Sequence, residues 1–223
     1  SYGGNQLLMK KNLFKSIIEN IQTIFYALII ATIIRSLFFQ PFYIPSSSME
    51  PTLLIGDRIF VSKYTYGYSK HSFPFSPPLF ENRLFEKEPN YGDLVVFKTP
   101  SDNRTDYIKR LIGMPGDTVQ FINGQLFLNN KEVQRKKINK EYKIRCGRLR
   151  PTVNSYEETL PNGKKHIAVY IKKGTYMNSD KFEVPLNHYF FLGDNRDCSS
   201  DSRYLSNVGY VSNENLVGNA RLI

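Results

Sequence analysis

The sequence contains no tryptophan, two cysteines and three histidines among its 223 residues. Two cysteines, Cys146 and Cys198, exclude a disulfide-dense scaffold and a four-cysteine zinc site. Cys198 is expected to be a free thiol. The histidines, His71, His166 and His188, lie far apart, and nothing marks any of them as a catalytic base. His166 and His188 fall in strand-like runs, where packing or exposure is the expected role. There is no G-x-S-x-G elbow, no H-E-x-x-H, no Walker loop and no G-x-G-x-x-G. Internal repeats and low-complexity tracts are also missing. Acidic residues are in deficit: 20 Asp and Glu face 30 Lys and Arg, a net charge of +10.

What is present is unevenly placed. Hydrophobic residues make 41% and aromatics 14%, enough to exclude wholesale disorder. The longest apolar run, Ile21 to Phe39, would span about 28 Å as a helix, close to the ~30 Å hydrocarbon core. It predicts a transmembrane anchor over residues 17–39, with Arg35 snorkelling to the far interface. Lys10, Lys11 and Lys15 precede it and predict a cytoplasmic N-terminus, residues 1–16. A soluble amphipathic helix and a cleaved signal peptide are the alternatives. The segment Lys131–Arg150 holds nine Lys or Arg against two Glu. No stacking or groove-reading motif accompanies it, so nucleic acid is not an expected partner. A solvated loop or contact with anionic lipid is expected instead.

Beyond Pro41 the pattern is that of strands. Arg58–Lys63, Asp93–Lys98, Asp106–Ile112, His166–Lys172 and His188–Leu192 are short β-rich runs bounded by turn residues. Thr118–Glu132 reads as two strands around Asn123-Gly124, a type I′ hairpin signal. Tyr64–Asn90 reads as an extended loop. The fold class expected is mainly β: a helix, then an antiparallel-β domain with a smaller β insertion. The expected division is residues 40–130 and 186–223 as the β core and residues 131–185 as a basic inserted subdomain.

Two local features bear on chemistry. In Ile44–Leu53, three serines, Ser46, Ser47 and Ser48, sit between Pro45 and Pro51. Composition alone favours a plain Ser-rich linker; a Pro-braced turn exposing a nucleophilic hydroxyl is the alternative. In Tyr107–Gly113, Lys109 and Arg110 interrupt an apolar strand and face opposite ways. In isolation Lys109 reads as an edge-strand charge. If desolvated, its amine would lose its proton more easily. Lowering the pKa from ~10.4 to ~8 stores about 3 kcal/mol. Arg110 cannot deprotonate and cannot act as a base.

Taken together, these pieces resemble the bacterial type I signal peptidases, membrane-anchored serine proteases with a Ser-Lys pair. Four parts match in order: an apolar anchor ending in Phe-Gln-Pro-Phe, P-S-S-S-M-E-P-T-L ending at Leu53, D-Y-I-K-R-L-I-G-M-P-G-D ending at Asp117, and Gly193–Arg203. The resemblance covers roughly residues 15–130 and 185–223, not the basic insert. It implies Ser48 as nucleophile and Lys109 as general base. It implies Ser46, with the Ser48 N–H, as oxyanion donors and Ser199 as the residue orienting the lysine. Arg110 with Asp194, and Asp201 with Arg203, match structural ion pairs. Ile44, Pro45, Met49, Leu53, Tyr107 and Ile108 match the walls of shallow pockets for small side chains. Two departures stand out: Ser47 where many members have Gly, and Cys198 where Asn is usual.

The resemblance further implies cleavage of secreted preproteins after Ala-x-Ala-like sites, with no cofactor and no metal. It implies a single-pass protein of the bacterial inner (plasma) membrane, its catalytic domain on the outer, periplasmic side. The lipid bilayer and a nearby secretion translocon are the implied surroundings. A self-cleaving repressor shares the Ser-Lys mechanism but needs a DNA-binding domain where this chain has its apolar run. Mitochondrial inner-membrane peptidases are usually shorter. The remaining alternative is a membrane-tethered β module binding anionic partners through the basic insert.

Overall fold

A computed structural model of the chain describes residues 2–72 and 87–221. Helix α1, Tyr2–Leu37, contains no proline and runs unbroken. Within it Phe14–Arg35, 22 residues of mean hydropathy 1.8, is long and apolar enough to cross a membrane. None of that window is buried by the rest of the protein. Thr23 and Thr32 donate their hydroxyls to the carbonyls of Glu19 and Leu28, both at 2.8 Å. These two threonines thus satisfy their hydroxyls within the helix. The helix stops two residues short of the expected end of the anchor, and Phe39 already belongs to the first strand.

The strands are β1 (Phe39–Tyr43), β2 (Arg58–Ser62), β3 (Leu94–Lys98), β4 (Asp106–Gly113), β5 (Thr118–Ile122), β6 (Gln125–Leu128) and β7 (Lys131–Glu132). There follow β8 (Gln134–Ile138), β9 (Val153–Thr159), β10 (Lys165–Ile171), β11 (Phe182–Glu183), β12 (His188–Leu192), β13 (Val211–Ser212) and β14 (Leu216–Arg221). A seven-stranded antiparallel sheet has the order β1-β2-β14-β3-β4-β12-β13. Its first strand is an edge, where Pro41 removes no ladder hydrogen bond that the sheet needs. The C-terminal strand β14 inserts between β2 and β3, so the far end of the chain closes the sheet.

The architecture is mainly β with one N-terminal apolar helix. Every expected single-strand run holds a strand, with ends shifted by at most one residue. Asn123 and Gly124 both have positive φ, 50° and 72°, as a type I′ turn requires. The run Thr118–Glu132 carries a third short strand, β7, beyond the two expected. Of the expected loop Tyr64–Asn90, the described part opens with short 3-10 turns at Lys63–Tyr66 and Lys70–Ser72. Residues 73–86 lie outside the described residues.

The inserted region divides in two. Its ends, β7 and β11, join β5 and β6 in a four-stranded sheet. Between them β8, β9 and β10 form a separate three-stranded sheet. Its register sets Arg135 opposite Glu158 and Lys136 opposite Glu157, so opposite charges face each other across the ladder. This sheet is tied to the main one through a buried polar cluster. Arg196 makes two bonds to the Glu158 carboxylate, at 3.0 and 2.7 Å. It also meets the Tyr170 hydroxyl at 2.6 Å and His166 Nε2 at 3.2 Å. Burial disfavours the Glu158 carboxylate, but the Arg196 charge and the bonds from His166 and Tyr170 hold its pKa well below normal.

Cys146 and Cys198 form a disulfide, with Cα atoms 5.2 Å apart. The free thiol expected at Cys198 is therefore corrected. The fold brings together two cysteines that are 52 residues apart in sequence.

Candidate active site

The Ser-rich segment is not a loose linker. Ser47–Met49 form a 3-10 turn in which all three residues are buried. Met49 and Leu53 are fully buried and pack with Ile44, Ile59 and Val61 in one core cluster, against which Ile108 lies half-buried. The turn is therefore nailed down by its own apolar residues. Of the expected pocket residues, Ile44, Met49 and Leu53 are core, Tyr107 and Ile108 are half-buried, and Pro45 is exposed.

Strand β4 carries Lys109, 3% exposed, directly to this turn. Lys109 Nζ lies 2.7 Å from Ser48 Oγ and donates to the Ile108 carbonyl at 3.1 Å. The amine also sits 5.0 Å from the centre of the Tyr107 ring. Burial lowers the Lys109 pKa from its ordinary value to about 8, while the charges of Asp201 and Asp194 resist a further fall. Ser46 Oγ is 3.3 Å from Ser48 Oγ.

The segment Gly193–Arg203 locks these pieces in place. Asp194 accepts from Arg110 Nε at 2.7 Å and from its Nη2 at 2.6 Å. The same carboxylate accepts from the Thr52 hydroxyl at 2.5 Å. It thus joins the strand that bears Lys109 to the turn that bears Ser48. Burial works against this carboxylate, but the Arg110 guanidinium outweighs it and lowers the pKa. Asp201 accepts from Arg203 Nε at 2.8 Å and from the Gly193 N–H at 3.0 Å. Asn195 donates its backbone N–H to the Ser48 carbonyl at 3.1 Å and its side-chain amide to the Ser47 carbonyl at 3.0 Å. At Gly193, a Cβ would overlap the Ser199 hydroxyl and the Ser48 carbonyl, so only glycine fits. Ser199 is buried there, and its hydroxyl makes no hydrogen bond to Lys109.

Two contributors were missed from sequence. Thr52 and Asn195 lie inside matched motifs, but their partners are reached only through the fold. Among the described residues no group of His, Cys, Asp and Glu is placed to hold a metal ion.

Comparison with known proteins bears on this geometry. The family described as Signal peptidase, peptidase S26 matches residues 17–223. Signal peptidase I of Rickettsia typhi (strain ATCC VR-144 / Wilmington) is 40% identical over 218 residues, covering 94% of this chain and 80% of that protein. Signal peptidase I of Rickettsia conorii (strain ATCC VR-613 / Malish 7) is 42% identical over 210 residues, covering 89% of this chain and 76% of that protein. A crystal structure of a signal peptidase I from Enterococcus faecalis V583 is 27% identical, with a TM-score of 0.37, and covers 60% of this chain and 97% of that one. The class is that of a serine endopeptidase. Within that class the chain belongs to the signal peptidase family, peptidase S26, as an enzyme of the signal peptidase I type. The alternative of a non-enzymatic β module is set aside on that ground.

Proposed function

We propose that this enzyme removes signal peptides from secreted preproteins after Ala-x-Ala-like sites, with Ser48 as nucleophile and Lys109 as base. The observation that carries this reading is the 2.7 Å approach of Lys109 Nζ to Ser48 Oγ in a buried setting. In its neutral form the amine accepts the Ser48 proton as the oxygen attacks the scissile carbonyl. The developing oxyanion is held by the Ser48 N–H and the Ser46 hydroxyl; losing such a donor typically costs about 10²–10³ in rate. The ammonium then returns its proton to the leaving amine. Water, deprotonated by the same lysine, releases the mature chain from the acyl-enzyme. Ser199, buried against Gly193 next to the Ser48 carbonyl, helps to keep the Ser48 turn in place. Small residues before the cut suit a site whose walls, Ile44, Met49 and Leu53, are already packed as core.

Phe14–Arg35 spans the bilayer and anchors the enzyme there. The exposed Phe25, Leu28, Ile30 and Ile33 then meet lipid rather than water. Lys10, Lys11 and Lys15 keep the residues just before the span cytoplasmic, so the β domain works on the outer face of the bacterial inner membrane. The disulfide between Cys146 and Cys198 suits that oxidising side. A site so close to the end of the anchor meets preproteins as they leave the translocon.

The test is cleavage of a preprotein with an Ala-x-Ala site, in detergent, by the native chain and by Ser48→Ala. Cleavage at that site by the native chain alone is expected. Equal cleavage by both would place the nucleophile elsewhere.

A further inference from the structure

The basic segment after β8 does not hang free; it is fastened beside the Ser48 turn. The Arg145 N–H donates to Glu50 Oε2 at 2.6 Å, two residues after Ser48. The Arg145 carbonyl accepts at 3.0 Å from the Asn195 amide, the same amide that donates to the Ser47 carbonyl at 3.0 Å. The next residue, Cys146, is bonded to Cys198. Two consecutive residues are thus pinned by two hydrogen bonds and a covalent link, all to groups that frame the nucleophile.

The backbone is fixed, yet the side chain is open. Arg145, like Lys143, Arg148 and Arg150, is exposed. None of the four is in an ion pair among the described residues. The neighbouring Glu50 carboxylate is engaged by the Arg145 backbone rather than by its guanidinium.

The two flanks of Ser48 therefore differ. One is the apolar cluster with Ile44, Leu53 and Ile108; the other is the backbone-anchored Arg145 with its basic neighbours in sequence. A substrate cut between a small-residue motif and a mature chain also has two unlike ends. The small residues belong on the apolar flank, which leaves the mature chain to pass the basic one. Resting on the reading of Ser48 above, we infer that Arg145 is a specificity-determining residue that favours an acidic side chain just after the scissile bond. A lipid-binding patch needs charge near a surface but no backbone anchorage beside a nucleophile; that anchorage argues for the substrate.

An exposed Arg–carboxylate pair supports a preference of about fivefold, falling as salt rises. The test uses peptides with one signal segment and Asp, Ala or Lys at each of the first few mature positions. They are cleaved in neutral detergent by the full native chain, by Arg145→Ala and by Arg145→Glu. The readout is the ratio of kcat/KM for the Asp and Lys peptides, which cancels any general loss of activity. The native ratio is expected near fivefold at one position at low salt, close to one for Arg145→Ala, and inverted for Arg145→Glu. A native ratio of one, or the same ratio in all three proteins, would overturn the inference. A flat ratio together with weaker sedimentation of Arg145→Glu on phosphatidylglycerol vesicles would reassign the loop to lipid and overturn it too. Failure of the native chain to cleave the Ala peptide would strike at the Ser48 reading itself.

Discussion

The pH dependence of cleavage follows from the burial of Lys109. Its pKa is about 8 in the folded protein against an ordinary value of 10.5. At pH 7 about a tenth of the amine is then neutral, against roughly one part in three thousand for a solvated lysine. Burial thus supplies about 300-fold more of the basic form. The first-order expectation is that kcat/KM rises with pH and levels off above an apparent pKa near 8. The same shift has a cost in stability. The folded pKa is depressed, so between about pH 8 and 10.5 the unfolded chain holds a proton that the folded chain has lost. Stability contributed by this group therefore rises with pH across that window. Below pH 8 the penalty is complete, about 3 kcal/mol. Lys109→Met, close in shape and uncharged, is expected to be inactive yet more stable at pH 7, with the gain shrinking as pH approaches 10.5. The assays are peptide cleavage across pH and denaturant unfolding of both proteins in detergent. A native rate flat between pH 6 and 9, or Lys109→Met less stable than native at every pH, would refute the reasoning.

Three further outcomes are expected. Glu158→Gln leaves Arg196 buried without its charge partner and should cost about 3–5 kcal/mol in denaturant unfolding; a loss under 1 kcal/mol would show that water reaches the cluster. Gly193→Ala forces a methyl group onto the Ser199 hydroxyl and the Ser48 carbonyl, and should cut kcat at least tenfold while far-UV circular dichroism stays native; unchanged kcat would show that the Ser48 turn is free to move. Replacing Cys146 and Cys198 together by Ser opens a closure spanning 52 positions, worth about 4 kcal/mol in the chain-entropy account; an unfolding midpoint unaltered by the replacement would contradict it.

The strands that were legible from sequence are those whose apolar residues do the packing. β3 and β12 are nearly continuous buried runs, and the β5–β6 turn carries its Asn-Gly signal. β8 and β9 were not legible. Gln-Arg-Lys-Lys-Ile reads as a charge run, and it becomes a strand because Glu157 and Glu158 stand opposite in register. That complementarity exists only after the chain has folded back on itself. β14 was missed for a related reason: its short run becomes central by insertion between two strands from the start of the domain. The disulfide and the Thr52–Asp194 bond are likewise long-range, and local spacing carries no trace of either.

The candidate site shows why one contiguous motif accompanies a dispersed pair. Ser48 and Lys109 are 61 residues apart, and their segments meet directly through the hydrogen bond between them and the packing of Ile108 on the cluster of Met49 and Leu53. Gly193–Arg203 adds further ties to both segments. Its Asp194 takes Arg110 on the strand of Lys109 and Thr52 just beyond Ser48. Its Asn195 takes the carbonyls of Ser47 and Ser48. Its Arg196 reaches into the inserted sheet, and its Cys198 is bonded to the basic segment. Each of these bonds constrains one residue of the motif, and the residues are adjacent because the turn they form is small. A substitution at Gly193, Asp194 or Asn195 is therefore expected to shift Ser48, Lys109 or both, although the proposed chemistry belongs to residues elsewhere in the chain. The same logic separates the two carboxylates from catalysis. Asp194 and Asp201 are each paired with an arginine and held ionised, so they set the field in which Lys109 loses its proton and take no proton themselves.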